Sequence, residues 1–190
     1  NINAQYLLSL LGSNQVMSSD SSKYENPDLV IDLNKKVNKK LFNQFDNIVD
    51  VGTLEHVFDT HLALENYIQM LKKGGYLLIA VPCSNMIDHG FYTFSPTLFY
   101  DYFACNSFKI LGSYFRESSP FIYEYKSKIY EYKKLGQEIP FISDRAVEFI
   151  VLAKKVKNKK KVNKPIQSVY LNKKGWKKNE TSSNLKLKKS

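Results

Sequence analysis

A short polar segment between two apolar runs carries side chains that could do chemistry. The stretch DVGTLEHV contains Asp50, Gly52, Thr53, Glu55 and His56. Glycine lets a ligand approach the backbone closely, a carboxylate accepts hydrogen bonds, and a neutral imidazole can take a proton near pH 7. This combination predicts a site for a polar ligand, with His56 as a candidate base. The alternative is that His56 packs against the ligand without proton transfer.

A second polar segment, DHGFYTF, follows the next apolar run. His89 and Tyr92 in this segment are candidates for substrate contact, and His89 is a further candidate base. A surface cluster of aromatic residues that packs on the following helix is the alternative. Asp88 beside His89 offers two types of metal ligand, but no third ligand stands at a recognisable spacing. The sequence therefore predicts no metal site.

The flanking patterns place both polar segments on one edge of a sheet. The apolar runs 45–51 and 76–82 predict strands, and the segment from Asp59 or Thr60 to Lys73 predicts a helix between them. Strand, helix and strand in this order form a parallel crossover. The carboxyl ends of parallel strands meet at the same edge, where open α/β sheets bind their ligands. We therefore expect the site there.

The rest of the chain has similar local patterns. Residues 2–11 predict a helix with three leucines on one face, and Ser95-Pro96 predicts the start of a helix that runs to Cys105. The segment 120–140, rich in Tyr, Lys and Glu, predicts a further helix. Short apolar runs predict strands at 15–20, 28–32, 108–115 and 145–155.

Composition limits the class of protein. With 190 residues, 43% of them apolar, the chain is long enough for one domain with a sizeable core. Its net charge of +10 comes from 154–190, which holds 14 lysines and one acid. We expect residues 157–190 to be largely disordered apart from a short patch at 164–176, and we do not expect this tail to be a nucleic-acid interface, because it lacks regularly interleaved aromatic residues. Two cysteines without metal-ligand spacing and no apolar run of membrane-spanning length predict a cytoplasmic protein without a membrane partner.

Two motifs carry a resemblance to a known family. Leu54-Glu55-His56-Val57 follows one predicted strand, and Lys73-Gly74-Gly75 precedes the next. Over residues 2–155 the chain resembles class I S-adenosylmethionine-dependent methyltransferases, in particular the type 11-like group. The resemblance implies an α/β, Rossmann-like methyltransferase fold, with a mostly parallel sheet, helices on both faces and an antiparallel last strand. It also implies a methyltransferase-like domain at 1–156, incomplete at its amino terminus, and a tail at 157–190.

The same resemblance implies S-adenosylmethionine as the cofactor. Asp20, at the end of a short predicted strand, would accept hydrogen bonds from both ribose hydroxyls. Asp32 would accept one from the adenine amino group, while the backbone amide of Leu33 faces the ring. Without a ligand, both acids would be turn residues that bond to the nearby backbone.

The resemblance places the other candidates near the transferred methyl group. Three of them stand at or just after the end of the predicted strand 45–51 and would form the loop that contacts the cofactor, namely Asp50, Gly52 and Thr53. Glu55 and Tyr92 would contact the substrate. His56 or His89 would serve as the base.

One feature of the family is missing. Its members begin with a strand and a G-x-G-x-G loop that approaches the cofactor, whereas Gly12 is the only glycine before Gly52. Either the sequence starts after that strand, or its cofactor loop is degenerate. The first alternative is favoured because residue 1 is Asn and the opening helix fits the helix that follows the first strand.

The sequence thus predicts an enzyme that transfers a methyl group from S-adenosylmethionine to an oxygen or nitrogen of a small-molecule or sugar-like substrate. A non-catalytic methyltransferase-like binding domain is the alternative, and the missing Gly-rich loop supports it. A nicotinamide-dependent enzyme is disfavoured because its possible Tyr130 and Lys134 pair stands too late in the chain. Pro82-Cys83 resembles the nucleophile of cytosine methyltransferases but follows a different strand, so Cys83 is predicted to be a small buried residue.

Overall fold

The computed structural model describes residues 4–118, 127–134, 141–159 and 161–171. Within these ranges the chain forms four α-helices and seven β-strands. The helices are α1 (Ala4–Leu10), α2 (Thr60–Met70), α3 (Pro96–Cys105) and α4 (Ser168–Leu171). The strands are β1 (Ser19–Asp20), β2 (Leu29–Val30), β3 (Phe45–Val51), β4 (Leu71–Ser84), β5 (Phe108–Glu117), β6 (Lys128–Glu131) and β7 (Val147–Lys155).

Five of these described strands join one mixed sheet in the order β3-β4-β7-β5-β6, and β1 and β2 form a separate parallel pair. In the larger sheet β3 and β4 are parallel, whereas the other three neighbouring pairs are antiparallel. The prediction of a mostly parallel, Rossmann-like sheet is therefore wrong. The crossover predicted from the sequence is present at β3-α2-β4. The later strands enter the sheet antiparallel, and a short apolar run does not reveal in which direction it will pair.

Helices α2 and α3 lie on the same face of this sheet. Tyr67 of α2 donates a hydrogen bond to Asp50 of β3, and Phe99 of α3 stacks on Phe149 of β7 with ring centroids 5.8 Å apart. The strand register puts Asp50 and Phe149 on one face. The opposite face leaves large side chains exposed, among them Val49, Val51, Tyr76 and Tyr114. The prediction of helices on both faces is therefore wrong as well.

The start of α2 agrees with the sequence prediction and its end does not. The side chain of Asp59 caps the helix by accepting a hydrogen bond from a backbone N–H of the first turn at 3.0 Å. The helix ends at Met70 instead of the predicted Lys73. The reason is that Leu71 already pairs with Phe45 of β3, so the chain is extended from that point.

Several other local predictions are confirmed. β3 covers the predicted 45–51, and α3 runs from Pro96 to Cys105 with the Ser95 side chain as its cap. β7 occupies most of the predicted 145–155. α1 forms inside the predicted 2–11, but the leucines of its predicted face are exposed, namely Leu7, Leu10 and Leu11.

The helix predicted over 120–140 is wrong where the structure describes it. Lys128–Glu131 forms the edge strand β6, which pairs antiparallel with β5 through Phe115 and Tyr130. Tyrosine and isoleucine favour extended backbone, and the free edge of β5 offers a ladder that an isolated helix cannot match. Residues 119–126 and 135–140 lie outside the described residues.

Part of the segment predicted as a tail packs on the body. Val162 is buried in the core, and Ser168, at the start of α4, bonds to the carboxylate of Asp101 through its backbone N–H at 2.9 Å. Lys134 joins the same carboxylate at 2.6 Å. Residues 160 and 172–190 lie outside the described residues, so the division of the chain at 156 stays a prediction.

Candidate functional site

The parallel pairing of β3 and β4 brings the loops that follow them to one edge of the sheet. Val51, the last residue of β3, lies opposite Ala80 of β4. Gly52 then turns the chain with a φ of +84°, which side-chain-bearing residues rarely adopt, and its N–H donates to the Ala80 carbonyl at 3.0 Å. The β3 loop (residues 52–59) and the β4 loop (residues 85–95) therefore begin at the same edge.

Asp50 is the buried acid that anchors the β3 loop. Its carboxylate accepts hydrogen bonds from the N–H of Thr53 and the hydroxyl of Tyr67, both at 2.9 Å. Burial raises the pKa of Asp50 above its ordinary value, against the opposing effect of these hydrogen bonds, and the charge of Glu55 adds to the increase. Asp50 thus ties the start of the loop to α2.

Glu55 is a second buried acid, and its side chain is 1% exposed. It lies in a single 3-10 turn, Leu54–His56, and its carbonyl accepts a hydrogen bond from Phe91 N at 2.9 Å, which joins the β3 and β4 loops. Among the described residues, neither oxygen of its carboxylate has a hydrogen-bond partner. An ionised carboxylate without partners is costly to bury. A cation or a hydrogen-bond donor of a ligand would therefore lower the free energy of this site.

Two histidines flank the Glu55 carboxylate. Its Oε1 lies 3.4 Å from Nε2 of His89 and 3.9 Å from Nε2 of His56. Both imidazoles are about half exposed, at 42% for His89 and 50% for His56, so each can reach a ligand. The backbone at Gly90 lies so close to the β3 loop that a side chain would be crowded. A Cβ at this position would lie 3.0 Å from the Glu55 carbonyl oxygen and 3.2 Å from Nδ1 of His56.

Tyr92 borders a cleft. Its hydroxyl donates a hydrogen bond to the carbonyl of Phe58 at 2.9 Å, which links the β4 loop to the β3 loop a second time. The cleft has a volume of about 600 Å³, enough for a small organic molecule. Aromatic and apolar side chains dominate its lining, which includes Phe58, His61, Tyr92, Phe94, Leu98 and Tyr102.

Asp20 lies in the smaller sheet, and Asp32 lies just after it. Asp20 ends β1 and accepts a hydrogen bond from Ser22 N at 2.6 Å, the main cause of its lowered pKa. Asp32 follows β2 by two residues and pairs with Lys35 at 3.0 Å, the main cause of its lowered pKa. It also accepts a hydrogen bond from the backbone N–H two residues later. Both acids thus make the local turn bonds expected without a ligand, and Leu33 packs partly buried against the core.

The structure brings together the candidates at the ends of β3 and β4, whereas Asp20, Asp32 and Leu33 lie in or just after the smaller sheet. The residues that meet at the edge are Asp50, Gly52, Thr53, Glu55, His56, His89 and Tyr92. The sequence prediction missed that Glu55, His56 and His89 form one cluster, with a potential ligand atom of each within 4.8 Å of the others. The available signal was the crossover itself, which places His89 beside the β3 loop. No pattern in the sequence indicates that both carboxylate oxygens of Glu55 would be buried without hydrogen bonds.

Comparison with known proteins does not assign the chain to a family. No family model matches it, and a search of curated proteins found no match. The resemblance to methyltransferases carried by the two motifs therefore stays a prediction. None of the helices in the described ranges combines the length and apolar character needed to cross a membrane.

Proposed function

We propose that the chain transfers a methyl group from S-adenosylmethionine to an oxygen or nitrogen atom of a small-molecule or sugar-like acceptor. The observation that carries this proposal is the meeting of the β3 and β4 loops at one edge. Glu55 and His56 come from the first loop, and His89 and Tyr92 from the second. Such an edge can hold a cofactor on one side and an acceptor on the other.

The cofactor would bind along the carboxyl ends of the strands. Gly52 supports this because its positive φ and missing side chain allow close backbone approach. Asp20 and Asp32, both with lowered pKa values, offer anionic acceptors for the ribose and the adenine amino group. Each also makes turn bonds, so ligand binding would use carboxylate lone pairs that these bonds leave over.

The acceptor would occupy the cleft beside Tyr92. Methyl transfer from a sulfonium is an in-line displacement, which needs orientation and exclusion of water more than an elaborate set of catalytic groups. The aromatic lining suits both requirements, since apolar side chains are poorly hydrated and offer a surface on which a small ligand can pack. His56 and His89 do not line the cleft, but they are half exposed on the same two loops as Phe58 and Tyr92, which do, and either histidine is the proposed base for an acceptor that extends from the cleft towards them. A cytoplasmic location and the absence of a nucleic-acid partner are part of the same proposal.

A non-catalytic binding domain is a second candidate, and two observations favour it. Asp20 and Asp32 are already engaged in local bonds. Val49 and Val51 on β3 are 45% and 66% exposed, although they belong to a strand. A domain that binds another molecule through this apolar surface would need no cofactor site.

Calorimetric titration of S-adenosylhomocysteine into the full-length natural protein separates the two candidates. The enzyme proposal predicts a micromolar dissociation constant that Asp20→Ala and Asp32→Ala each weaken by about 10-fold or more. Asp46→Ala is the matched control, because this exposed acid lies at the opposite end of β3 and should leave binding unchanged. A folded protein that does not bind the ligand would overturn the enzyme proposal and favour the binding domain.

A further inference from the structure

The Glu55 carboxylate is a buried anion directed at two imidazoles. Its side chain is 99% buried and neither oxygen is hydrogen-bonded within the described ranges. The half-exposed imidazoles of His56 and His89 lie within 4 Å of its Oε1 atom. The second buried acid of the region, Asp50, adds negative charge to the same edge. Such an anion needs a positive partner, and no lysine or arginine among the described residues pairs with it.

The distances among the three side chains suit a metal ion. A tetrahedral ion with ligands at ~2.0–2.2 Å separates its ligand atoms by about 3.4 Å. Glu55 Oε1 and His89 Nε2 are 3.4 Å apart, and His56 Nε2 lies 3.9 Å from the same oxygen. One potential ligand atom of each of the three side chains lies within 4.8 Å of the other two, so half-exposed imidazoles have to approach by no more than about 1.4 Å to reach the tetrahedral spacing.

The geometry points to a divalent transition-metal site in which Glu55, His56 and His89 bind one Zn²⁺ ion. Two imidazoles and one carboxylate are a ligand set typical of zinc sites that keep an open position for water or substrate. The half exposure of both histidines leaves room for that fourth ligand. Magnesium and calcium are disfavoured because they prefer all-oxygen ligands.

The loops that carry the ligands are already held in place. Phe91 N bonds to the Glu55 carbonyl at 2.9 Å, and Tyr92 bonds to the carbonyl of Phe58 at 2.9 Å. Gly90 permits this approach, because a side chain there would meet Glu55 and His56 at 3.0–3.2 Å. A preformed arrangement loses little conformational entropy when the ion binds. This inference rests on the cluster alone and does not depend on methyl transfer, and a histidine nitrogen that binds the ion cannot at the same time be the base of the proposed reaction.

Zinc titration of the full-length, metal-free protein tests the site. Binding is measured by calorimetry and by competition with a chromogenic chelator, without cofactor or substrate. We expect one ion per chain with a micromolar or tighter dissociation constant. Glu55→Gln, His56→Ala and His89→Ala should each weaken binding by at least 10-fold. His61→Ala is the matched control, since this third histidine of the chain lies on α2 against Tyr102, away from the cluster, and should retain full affinity.

Thermal unfolding supplies a second readout that a misfolded variant cannot imitate. Saturating Zn²⁺ should raise the melting temperature of the wild type by about 5 °C or more, and that of Glu55→Gln by much less. Without zinc, Glu55→Gln should melt no lower than the wild type, because it removes an unpaired buried charge. Co²⁺ in place of Zn²⁺ should give the visible absorption of a tetrahedral site. The inference would be overturned if the wild type bound no stoichiometric zinc. It would also be overturned if any of the three ligand substitutions left the affinity for zinc unchanged.

Discussion

Oε1 of Glu55 and Nε2 of His89 lie 3.4 Å apart although 33 residues separate them along the chain. The contact exists because β3 and β4 run parallel, so the loops that follow them start at the same edge of the sheet. A hydrogen bond of 2.9 Å from Phe91 N to the Glu55 carbonyl holds the two loops together. The buried end of this contact is an acid without hydrogen bonds, and the exposed end is an imidazole.

The buried Glu55 carboxylate should destabilise the metal-free protein. At pH 8, Glu55→Gln should raise the free energy of unfolding by about 1 kcal/mol, because burying an amide without partners costs less than burying a carboxylate. Urea unfolding in the presence of a chelator measures this. Glu65→Gln, on the partly exposed side of α2, is the control and should change stability by less than ~0.5 kcal/mol. A large loss of stability in Glu55→Gln would show that the carboxylate has a favourable role in the apo fold.

Asp50 should make stability depend on pH. Because its pKa is raised in the folded state above the ordinary 3.8, the folded chain takes up the Asp50 proton at a higher pH than the unfolded chain does. The wild type should therefore gain stability relative to Asp50→Asn as the pH falls through the raised pKa towards 3.8. Urea unfolding of both proteins at a series of pH values measures the difference. Asp46→Asn controls for the loss of one carboxylate from β3, and a constant difference between wild type and Asp50→Asn would contradict the prediction.

Tyr67→Phe should destabilise the fold by about 1–3 kcal/mol at pH 8, because it removes the hydroxyl that bonds to the buried Asp50 carboxylate at 2.9 Å. Thermal or urea unfolding measures the loss. In the Asp50→Asn background the same substitution should cost less, since no charge is then left unpaired. Equal costs in the two backgrounds would mean that the bond to Asp50 contributes little.

Lys155 should stabilise the carboxyl end of α2. Its Nζ donates to the carbonyls of Ile68 and Leu71, both at 2.6 Å, and burial lowers its pKa. Lys155→Met should lower the free energy of unfolding at pH 7 by about 1–3 kcal/mol, because two buried carbonyls lose their donor. Lys154→Met is the matched control on the opposite face and should cost less than ~1 kcal/mol.

The pH dependence of the stability difference between the wild type and Lys155→Met tests the direction of the Lys155 pKa shift. The folded chain releases the Lys155 proton at a lower pH than the unfolded chain, whose lysine titrates near the ordinary 10.5. The stability of the wild type relative to Lys155→Met should therefore rise as the pH increases through the lowered pKa. A fall over that range would contradict the assignment.

The cysteines should react slowly in the folded protein. Burial raises the pKa of both the Cys83 and the Cys105 thiol to about 11. Iodoacetamide at pH 8 should therefore modify each about 100-fold more slowly than a free thiol, with a rate that climbs towards pH 11. Mass spectrometry of Cys83→Ser and Cys105→Ser variants separates the two sites, and unfolding in guanidinium should expose both. Rapid modification of Cys83 at neutral pH would instead revive its interpretation as a nucleophile after Pro82.

Local signals in the sequence determined several elements directly. The apolar run 45–51 became β3, Asp59 became the cap of α2, and Ser95-Pro96 became the start of α3. These outcomes depend on hydrogen bonds and side-chain preferences within a few residues, which a pattern can report. The crossover from β3 to β4 likewise predicted that the polar segments after both strands share an edge.

Tertiary structure decided what depends on distant partners. The direction of pairing between β4, β7, β5 and β6 overturned the predicted mostly parallel sheet, and the free edge of β5 turned 128–131 into a strand. The burial of Glu55 and its approach to His89 arise only when two loops meet. A sequence specifies each apolar run and each polar loop locally. The packing of the whole chain decides which strands pair and which carboxylate is buried away from water. The free energies of strand pairing and of burial depend on contacts between residues far apart in sequence.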